Sequence, residues 1–571
     1  MAGRTYGELR LVDNGSIWEI NRIEPHVAIR LKQLFPRIPK HSTVPYRLPN
    51  DLIHAADIDW FTSRYPLAIT KSDQLTLVGG RLGFEQQQAE MERILLPDYA
   101  PADIQGLQPG QVVRHYQHQP IGVLRHRKSL LLGDEGGLGK TYTAAAFLCA
   151  EPGALPAAVV CDPHMQKQWR DKVEAFTTLR VHIIKKASPY DLPPADVYVF
   201  RISQIGGWVD IFDTGYFKTV VYDEPQSLRT GTTTAKGAAA KVLSSNTTFR
   251  LGLTATPIYN YGSEMWNVMQ FIDDQVLGSH EDFQREWMDD NGRIRDPKAL
   301  GTYLREQHVM IRRLKSDVGL ELPKVSRIVE YVDYDAKEVQ SIEDLARRLA
   351  IRATTGSFVE RGQAVRELDM MVRQATGVSK ARAVAQFVRL MVEAGESVVL
   401  VGWHRAVYDI WLSELKDLRP AMYTGSESAT QKGREIERFI SGDTDVLIMS
   451  LRSGAGIDGL QHRCSVAVFG ELDWSPGIHQ QVIWRLDREG QEDPVTAFFL
   501  VVDEGSDPPI MDVLGIKASE AKQIVDPHMG VQLVGEDTTN LRRLVERYLA
   551  KKDRATKETR RIRPPARRSA A

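Results

Sequence analysis

The sequence predicts an α/β protein: two parallel-sheet lobes with helical insertions, a small N-terminal α/β domain and a basic C-terminal tail. Three observations carry this. Short apolar runs alternate with helical stretches in two blocks, as buried parallel strands with covering helices do. Residues 270–380, between the blocks, are more helical and charged. A Gly-Lys-Thr loop stands where the first strand of the first block meets a helix rich in Ala.

Composition sets the outer bounds. A chain of 571 residues fits about three or four compact units. With 42% hydrophobic and 26% charged residues, long-range disorder is excluded. The 73 basic and 74 acidic side chains leave a net charge of −1, which argues against a protein that holds nucleic acid by bulk charge. The sum hides an asymmetry. Lys551–Ala571 carries nine basic and two acidic residues, a net of +7, so the rest of the chain stands at −8. Cys149, Cys161 and Cys464 form no CxxC pair, so neither a zinc cluster nor a disulfide framework is expected. The opening Met-Ala-Gly-Arg-Thr lacks the apolar core of a secretion signal. No apolar run approaches the ~20 residues that span a bilayer. The expected setting is soluble, reducing and cytoplasmic, without membrane contact.

Residues 1–100 read as an accessory α/β domain. Ile17–Ile20 form a short strand, and Pro25 opens a helix with Val27, Leu31 and Leu34 on one face. A second amphipathic stretch from Pro49 to Arg64 carries Leu52, Ile53, Ala56 and Trp60. Residues 101–330 form the first lobe, with strands at Ser129–Leu132, Ala158–Cys161, Val197–Phe200, Thr219–Tyr222 and Phe249–Leu253. Residues 331–505 form the second, with strands at Val398–Val401, Ala421–Tyr423, Val446–Met449, Val466–Phe469 and Thr496–Val501. Residues 506–571 are a C-terminal extension ending in the basic tail, which reads as disordered and as a candidate nonspecific DNA tether.

The loop Leu131-Leu-Gly-Asp-Glu-Gly-Gly-Leu-Gly-Lys140-Thr141 is the first chemical signal. Gly137 and Gly139 let the backbone turn tightly, so that consecutive N–H groups point at phosphate oxygens. Lys140 would reach the β and γ phosphates, and the Thr141 hydroxyl would ligate Mg²⁺. The strict pattern wants glycine at position 134, where this chain has Asp134.

The second signal is Thr219-Val-Val-Tyr-Asp223-Glu224-Pro-Gln226, a carboxylate pair at the end of a buried strand. Asp223 would hold Mg²⁺. Glu224 would orient and deprotonate the attacking water, a contribution of ~10²–10⁴ in rate. The third is His479-Gln-Gln-Val-Ile-Trp-Arg485-Leu-Asp-Arg488-Glu-Gly-Gln491. Two arginines three apart share one helix face and suit one polyanion, if the second lobe closes on nucleotide held by the first.

Together these residues resemble the Swi/Snf-type double-stranded DNA translocases of helicase superfamily 2, a group that includes chromatin remodellers, annealing helicases and phage and bacterial relatives. The resemblance covers about residues 105–505. Leu107-Gln-Pro-Gly-Gln111 is similar to the family's adenine-reading segment, and Asp134–Thr141 to its DExGLGKT. Asp162-Pro163 with Gln168-Trp169 resembles a segment that faces DNA. Leu253-Thr-Ala-Thr-Pro-Ile-Tyr-Asn260 through Trp266 resembles LTGTPIxN…LW. Arg312-Arg-Leu-Lys-Ser-Asp-Val318 with Leu322-Pro323-Lys324 is similar to RRxKxDV…LP. In the second lobe, Gly377-Val-Ser-Lys380, Ser450 through Asp458, Trp474-Ser-Pro476 and Gln481 to Gln491 follow in order. Three departures stand out. Pro225-Gln226 replaces Ala-His after the acidic pair, Asp487 replaces a His between the arginines, and the spacing around Gly454–Leu460 is closer to general helicases.

The resemblance implies two RecA-like lobes and the cofactors ATP and Mg²⁺. It gives catalytic roles to Lys140, Glu224, Arg485 and Arg488, with the arginines sensing the γ-phosphate. Gln111, Gly137, Gly139, Lys140, Thr141 and Asp458 would bind nucleotide; Thr141 and Asp223 would hold the metal. Pro163, Gln168, Trp169, Ser450 and Trp474 would contact DNA, and Gln226, Thr254, Thr256 and Gln481 would couple nucleotide state to lobe motion. The implied activity is ATP-driven movement along double-stranded DNA in replication, recombination or repair, with forked or branched DNA as a further candidate partner. Two alternatives stay open: a strand-separating helicase, and a nucleotide-gated DNA-binding scaffold with a decayed motor. The absence of bromodomain-, chromodomain- or RING-like segments points to a compact phage or bacterial motor.

Overall fold

A computed structural model describes residues 4–101, 104–255, 264–289, 293–319, 322–355, 358–451, 457–512 and 514. Three sheets organise them. Strands β1 (Glu8–Val12), β2 (Ile17–Asn21) and β3 (Tyr46–Pro49) form an antiparallel N-terminal sheet. The first lobe contains β4 (Ser129–Leu132), β5 (Ala157–Cys161), β6 (Val181–Ile183), β7 (Val197–Arg201), β8 (Thr219–Asp223), β9 (Phe249–Leu253) and β10 (Met310–Ile311). They run parallel in the order β10-β4-β9-β8-β5-β7-β6. The second lobe contains β11 (Ser326–Tyr331), β12 (Val398–Gly402), β13 (Ala421–Tyr423), β14 (Val446–Ser450), β15 (Val466–Phe469) and β16 (Thr496–Val501). These are also parallel, ordered β11-β16-β15-β12-β14-β13.

The apolar runs are continuous because both faces of each central strand are covered. In β5, Val159 and Cys161 enter one core while Ala158 and Val160 enter another. In β12, Val399 and Val401 face one way and Val398 and Leu400 the other. This is the period-two geometry of a strand between two helix layers. Each fully buried Val or Leu contributes roughly 1.5–3 kcal/mol, so these strands fix the register of the loops that follow them.

Between residues 270 and 380, where a helical stretch was expected, two strands also occur. β10 is only two residues long, and β11 is mostly exposed. Both lie at sheet edges, where a strand lacks the strong apolar signal of a central one.

In the N-terminal unit, the helix Pro25–Leu34 buries Val27 and Leu31 as expected. The helix Leu52–Arg64 buries Ala55, Ile58 and Phe61 instead of the face read from sequence; Leu52 and Trp60 are exposed. A third helix, Lys71–Leu95, is shared between cores. Leu77 packs with the N-terminal sheet, whereas Met91 and Ile94 pack into the first lobe. Arg37 adds a polar link: its guanidinium donates to Val276 O at 2.7 Å and to Glu286 Oε2 at 3.2 Å. Among the described residues, no helix is long and apolar enough to cross a membrane. The basic segment Lys551–Ala571 lies outside the described residues.

Candidate active site

Ligands of doubly wound sheets gather beyond the C-terminal ends of the strands. Here the ends of β4, β5, β8 and β9 open on a cleft of about 290 Å³, whose other wall comes from the second lobe.

The glycine-rich loop leaves β4 at Gly133, whose N–H donates to Ile311 O of β10 at 2.7 Å. Gly137 (φ 95°) and Gly139 (φ 75°) lie in the left-handed region that L side chains rarely adopt. The helix Lys140–Ala150 starts directly after them, so its N-terminal N–H groups and positive dipole end face the cleft. Lys140 Nζ donates to Asp134 O at 2.6 Å, and burial lowers its ammonium to about 8. Thr141 lines the same cleft. Asp134, where the strict loop pattern wants glycine, has a partner in Arg313. It is 1% exposed and accepts the Arg313 N–H and Nε–H, both at 3.1 Å, and a further bond from Arg313 Nη2. A glycine there could not anchor Arg313.

Gln111 and Gln117 both precede the phosphate loop in sequence, and Gln117, which the sequence reading did not single out, is in contact with it. Gln111 is exposed and does not line the cleft. Gln117 is buried, and its Nε2 donates to Leu138 O and Gly139 O, both at 3.3 Å. The physical reason is placement. Gln111 belongs to an irregular segment before the helix His115–Arg127, whereas Gln117 stands in that helix's first turn, against the phosphate loop.

The acidic pair ends β8. Glu224 takes φ 56° and ψ 64°, a left-handed conformation that costs a non-glycine residue about 1–3 kcal/mol. Local bonds hold it there. Its N–H donates to Leu253 O at 2.8 Å, and its Oε2 accepts from Gln226 Nε2 at 2.5 Å and Thr254 Oγ1 at 2.6 Å. Gln226 and Thr254 are themselves fully buried. Asp223 Oδ2 accepts the Trp169 indole N–H at 2.7 Å. Burial and the neighbouring Glu224 raise the Asp223 carboxyl to about 7. Thr256 lies outside the described residues.

The helix Pro476–Leu486 supplies the facing wall and ends between the two arginines, with Asp487 as its C-cap. Arg485 and Arg488 therefore do not share one helix face. They still converge, because both guanidiniums donate to Ile457 O at 3.4 Å. Burial and its neighbour Arg488 pull Arg485 down to about 10. Asp458 accepts from Arg488 at 2.7 Å and pairs with Lys172 of the first lobe at 2.9 Å. These cations hold its carboxyl well below the usual range. Gln481 also lines the cleft.

The residues expected on DNA occupy different settings. Pro163 is exposed, but Gln168 lines the cleft. Trp169 is 1% exposed. In the helix Gln166–Phe176 it stands with Val173 and Phe176 on the buried face, the i, i+4, i+7 stripe of a core-facing helix. Ser450 is buried at the end of β14. Trp474 is half-buried, with its indole N–H donating to Asp369 Oδ1 at 2.7 Å. Arg452 to Gly456, in the segment expected to touch both DNA and nucleotide, lie outside the described residues.

Comparison with known proteins finds relatives over most of the chain. A Caenorhabditis elegans homolog of the SWI/SNF-related matrix-associated actin-dependent regulator of chromatin subfamily A-like protein 1 is 25% identical over 437 residues, covering 72% of this chain and 62% of the relative. An uncharacterized ATP-dependent helicase of Mycoplasma genitalium is 21% identical over 418 residues, covering 68% of this chain and 40% of the relative. The chain thus spans about 40–62% of the length of these curated relatives. A Sulfolobus solfataricus SWI2/SNF2 ATPase core solved in complex with double-stranded DNA is 18% identical, covering 76% of this chain and 95% of that one, with a TM-score of 0.36. The SNF2-related domain matches residues 59–380, more than half of the sequence, and the chain belongs to this family of helicase-type ATPases.

Proposed function

We propose that the chain is an ATP-dependent translocase on double-stranded DNA. The observation that carries this reading is the two-sided cleft. Lys140, Thr141, Asp223 and Glu224 enter from one lobe, and Asp458, Gln481, Arg485 and Arg488 from the other. Nucleotide bound there touches both lobes, so hydrolysis changes the force between them. Phosphoryl transfer needs mainly positioning and charge stabilisation, and in this cleft Lys140, Arg485 and Arg488 serve both.

The chain's own residues divide the work. The N–H groups of the glycine-rich loop and Lys140 bind the phosphates. Glu224, fixed by Thr254 and Gln226, takes the proton of the attacking water. Arg485 and Arg488 stabilise charge on the transferring γ-phosphate. The donor set also fits Mg²⁺. Thr141 offers a hydroxyl and Asp223 a buried carboxylate, both hard oxygen ligands, and Mg²⁺ usually takes one or two carboxylates beside substrate phosphates. Thr141 and Asp223 would hold it, and it would neutralise phosphate charge. Thr254 and Gln226 tie the hydrolytic carboxylate to the ends of β9 and β8, giving a route from nucleotide state to lobe position.

Protein displacing a third strand from a duplex tests the translocase reading. ATP-dependent displacement that is lost in Lys140→Ala is expected. Unwinding of a forked duplex without triplex displacement would favour the strand-separating alternative.

A further inference from the structure

Besides the nucleotide residues, one charge pair among the described residues crosses between the lobes in a buried setting. Lys315 follows β10 of the first lobe, and Asp487 caps the arginine-bearing helix of the second. Lys315 Nζ lies 2.8 Å from Asp487 Oδ2 and also donates to Asp487 O. The two residues are 6% and 7% exposed.

Their surroundings show what the pair controls. Lys315 N–H donates to Glu135 Oε2 at 2.9 Å, and the Trp484 indole N–H donates to Glu135 Oε1 at 3.3 Å. A methyl group on Gly136 would come within 2.6 Å of the Trp484 side chain. One on Gly137 would lie 3.2 Å from Arg488 Cβ and 3.5 Å from Lys315 Cε. The phosphate loop, Lys315 and the arginine segment therefore pack as one unit. Asp487 stands between Arg485 and Arg488 in sequence, so its bond to Lys315 ties the arginine segment to the first lobe. A charge buried at such a contact is costly unless its partner is present.

We propose that Lys315 and Asp487 form an inter-lobe latch, and that Asp487 is a positioning residue that sets Arg485 and Arg488 against the phosphate loop. The link to catalysis rests on the ATPase reading above; the latch itself does not. When the lobes part, each charge returns to solvent. When they close, the pair can form only with the arginine segment in register with Glu135 and Gly136. The aspartate that departs from the family's histidine thus has a partner within this chain.

The test uses the full chain with one fluorophore on each lobe, and reads the inter-lobe distance without nucleotide alongside steady-state ATP hydrolysis. Asp487→Asn, which keeps the side-chain size, should lengthen the distance and lower kcat at least tenfold with KM for ATP changed less than threefold. Lys315→Asp should do the same, and Lys315→Asp with Asp487→Lys should restore the short distance and much of kcat. Thermal unfolding of each variant identifies those that are folded. A folded Asp487→Asn chain with wild-type distance and kcat overturns the latch, as does a folded charge swap no better than its single variants. A wild-type chain that hydrolyses no ATP defeats the functional reading instead, while the distance measurement still decides the latch.

Discussion

The indole N–H of Trp169 donates to Asp223 Oδ2 across 2.7 Å from inside the first-lobe core. A hydrogen bond to a charged group contributes about 1.5–3 kcal/mol, enough to fix one oxygen of a carboxylate whose other oxygen is left for a ligand. The same bond favours the ionised form of Asp223 against burial and Glu224, which both oppose it. Trp169→Phe keeps the buried ring and removes only the donor. The acid limb of the ATPase pH profile should move to higher pH, and half-saturation by Mg²⁺ to higher concentration. A variant with both curves unchanged would show that the indole only packs.

Asp223 also trades stability for function. Its carboxyl rises to about 7 from the ordinary 3.8. Between those values the folded chain keeps a proton that the unfolded chain has lost, so stability falls as pH rises through this window. Asp223→Asn removes the titration. The variant should lose ATP hydrolysis yet melt higher than wild type at pH 7.5, with little difference at pH 4. A gain of ~1–2 kcal/mol is expected, a common size for relief of a functional strain. Melting curves at both pH values check this, and a lower melting temperature at pH 7.5 contradicts it.

Glu224 Oε2 is held by Thr254 Oγ1 and Gln226 Nε2. Thr254→Val preserves shape and removes one donor. We expect kcat to fall by about 10-fold or more, a part of the ~10²–10⁴ that a positioned base supplies, with KM for ATP nearly unchanged. Equal changes in both constants would place Thr254 in nucleotide binding instead.

Asp134 occupies the position where the simple loop pattern wants glycine, so Asp134→Gly looks like a repair. The structure predicts the reverse. The variant leaves Arg313, whose side chain is 11% exposed, without its carboxylate and with only neutral partners in Tyr116 O and Gln119 Oε1, and breaking such a pair costs about 3–5 kcal/mol. Denaturant unfolding of Asp134→Gly should show that loss, and Asp134→Gly combined with Arg313→Leu should recover part of it. An Asp134→Gly chain as stable as wild type would remove the pair from the account.

Much of this was legible in sequence for a physical reason. Central parallel strands such as Val446–Ser450 are apolar on both faces, and the chemistry attaches at their ends, so Lys140 and the Asp223–Glu224 pair could be placed from local pattern alone. What stayed hidden depends on faces and neighbours. Gln111 and Gln117 differ in sequence only by position; contact with Leu138 and Gly139 separates them. The Trp169, Val173 and Phe176 spacing is that of a core-facing stripe, a signal that the motif resemblance alone does not use. Asp134 and Asp487 looked like departures because their partners, Arg313 and Lys315, lie far away in sequence and meet them only in the fold.

ATP hydrolysis by the full chain, measured without DNA, with single-stranded DNA and with duplex DNA, and repeated with Lys140→Ala, decides whether this is a duplex-driven motor. Turnover should be stimulated more by duplex DNA than by single strands, and abolished by Lys140→Ala. Turnover indifferent to duplex DNA, or undiminished in Lys140→Ala, would contradict a duplex-driven motor.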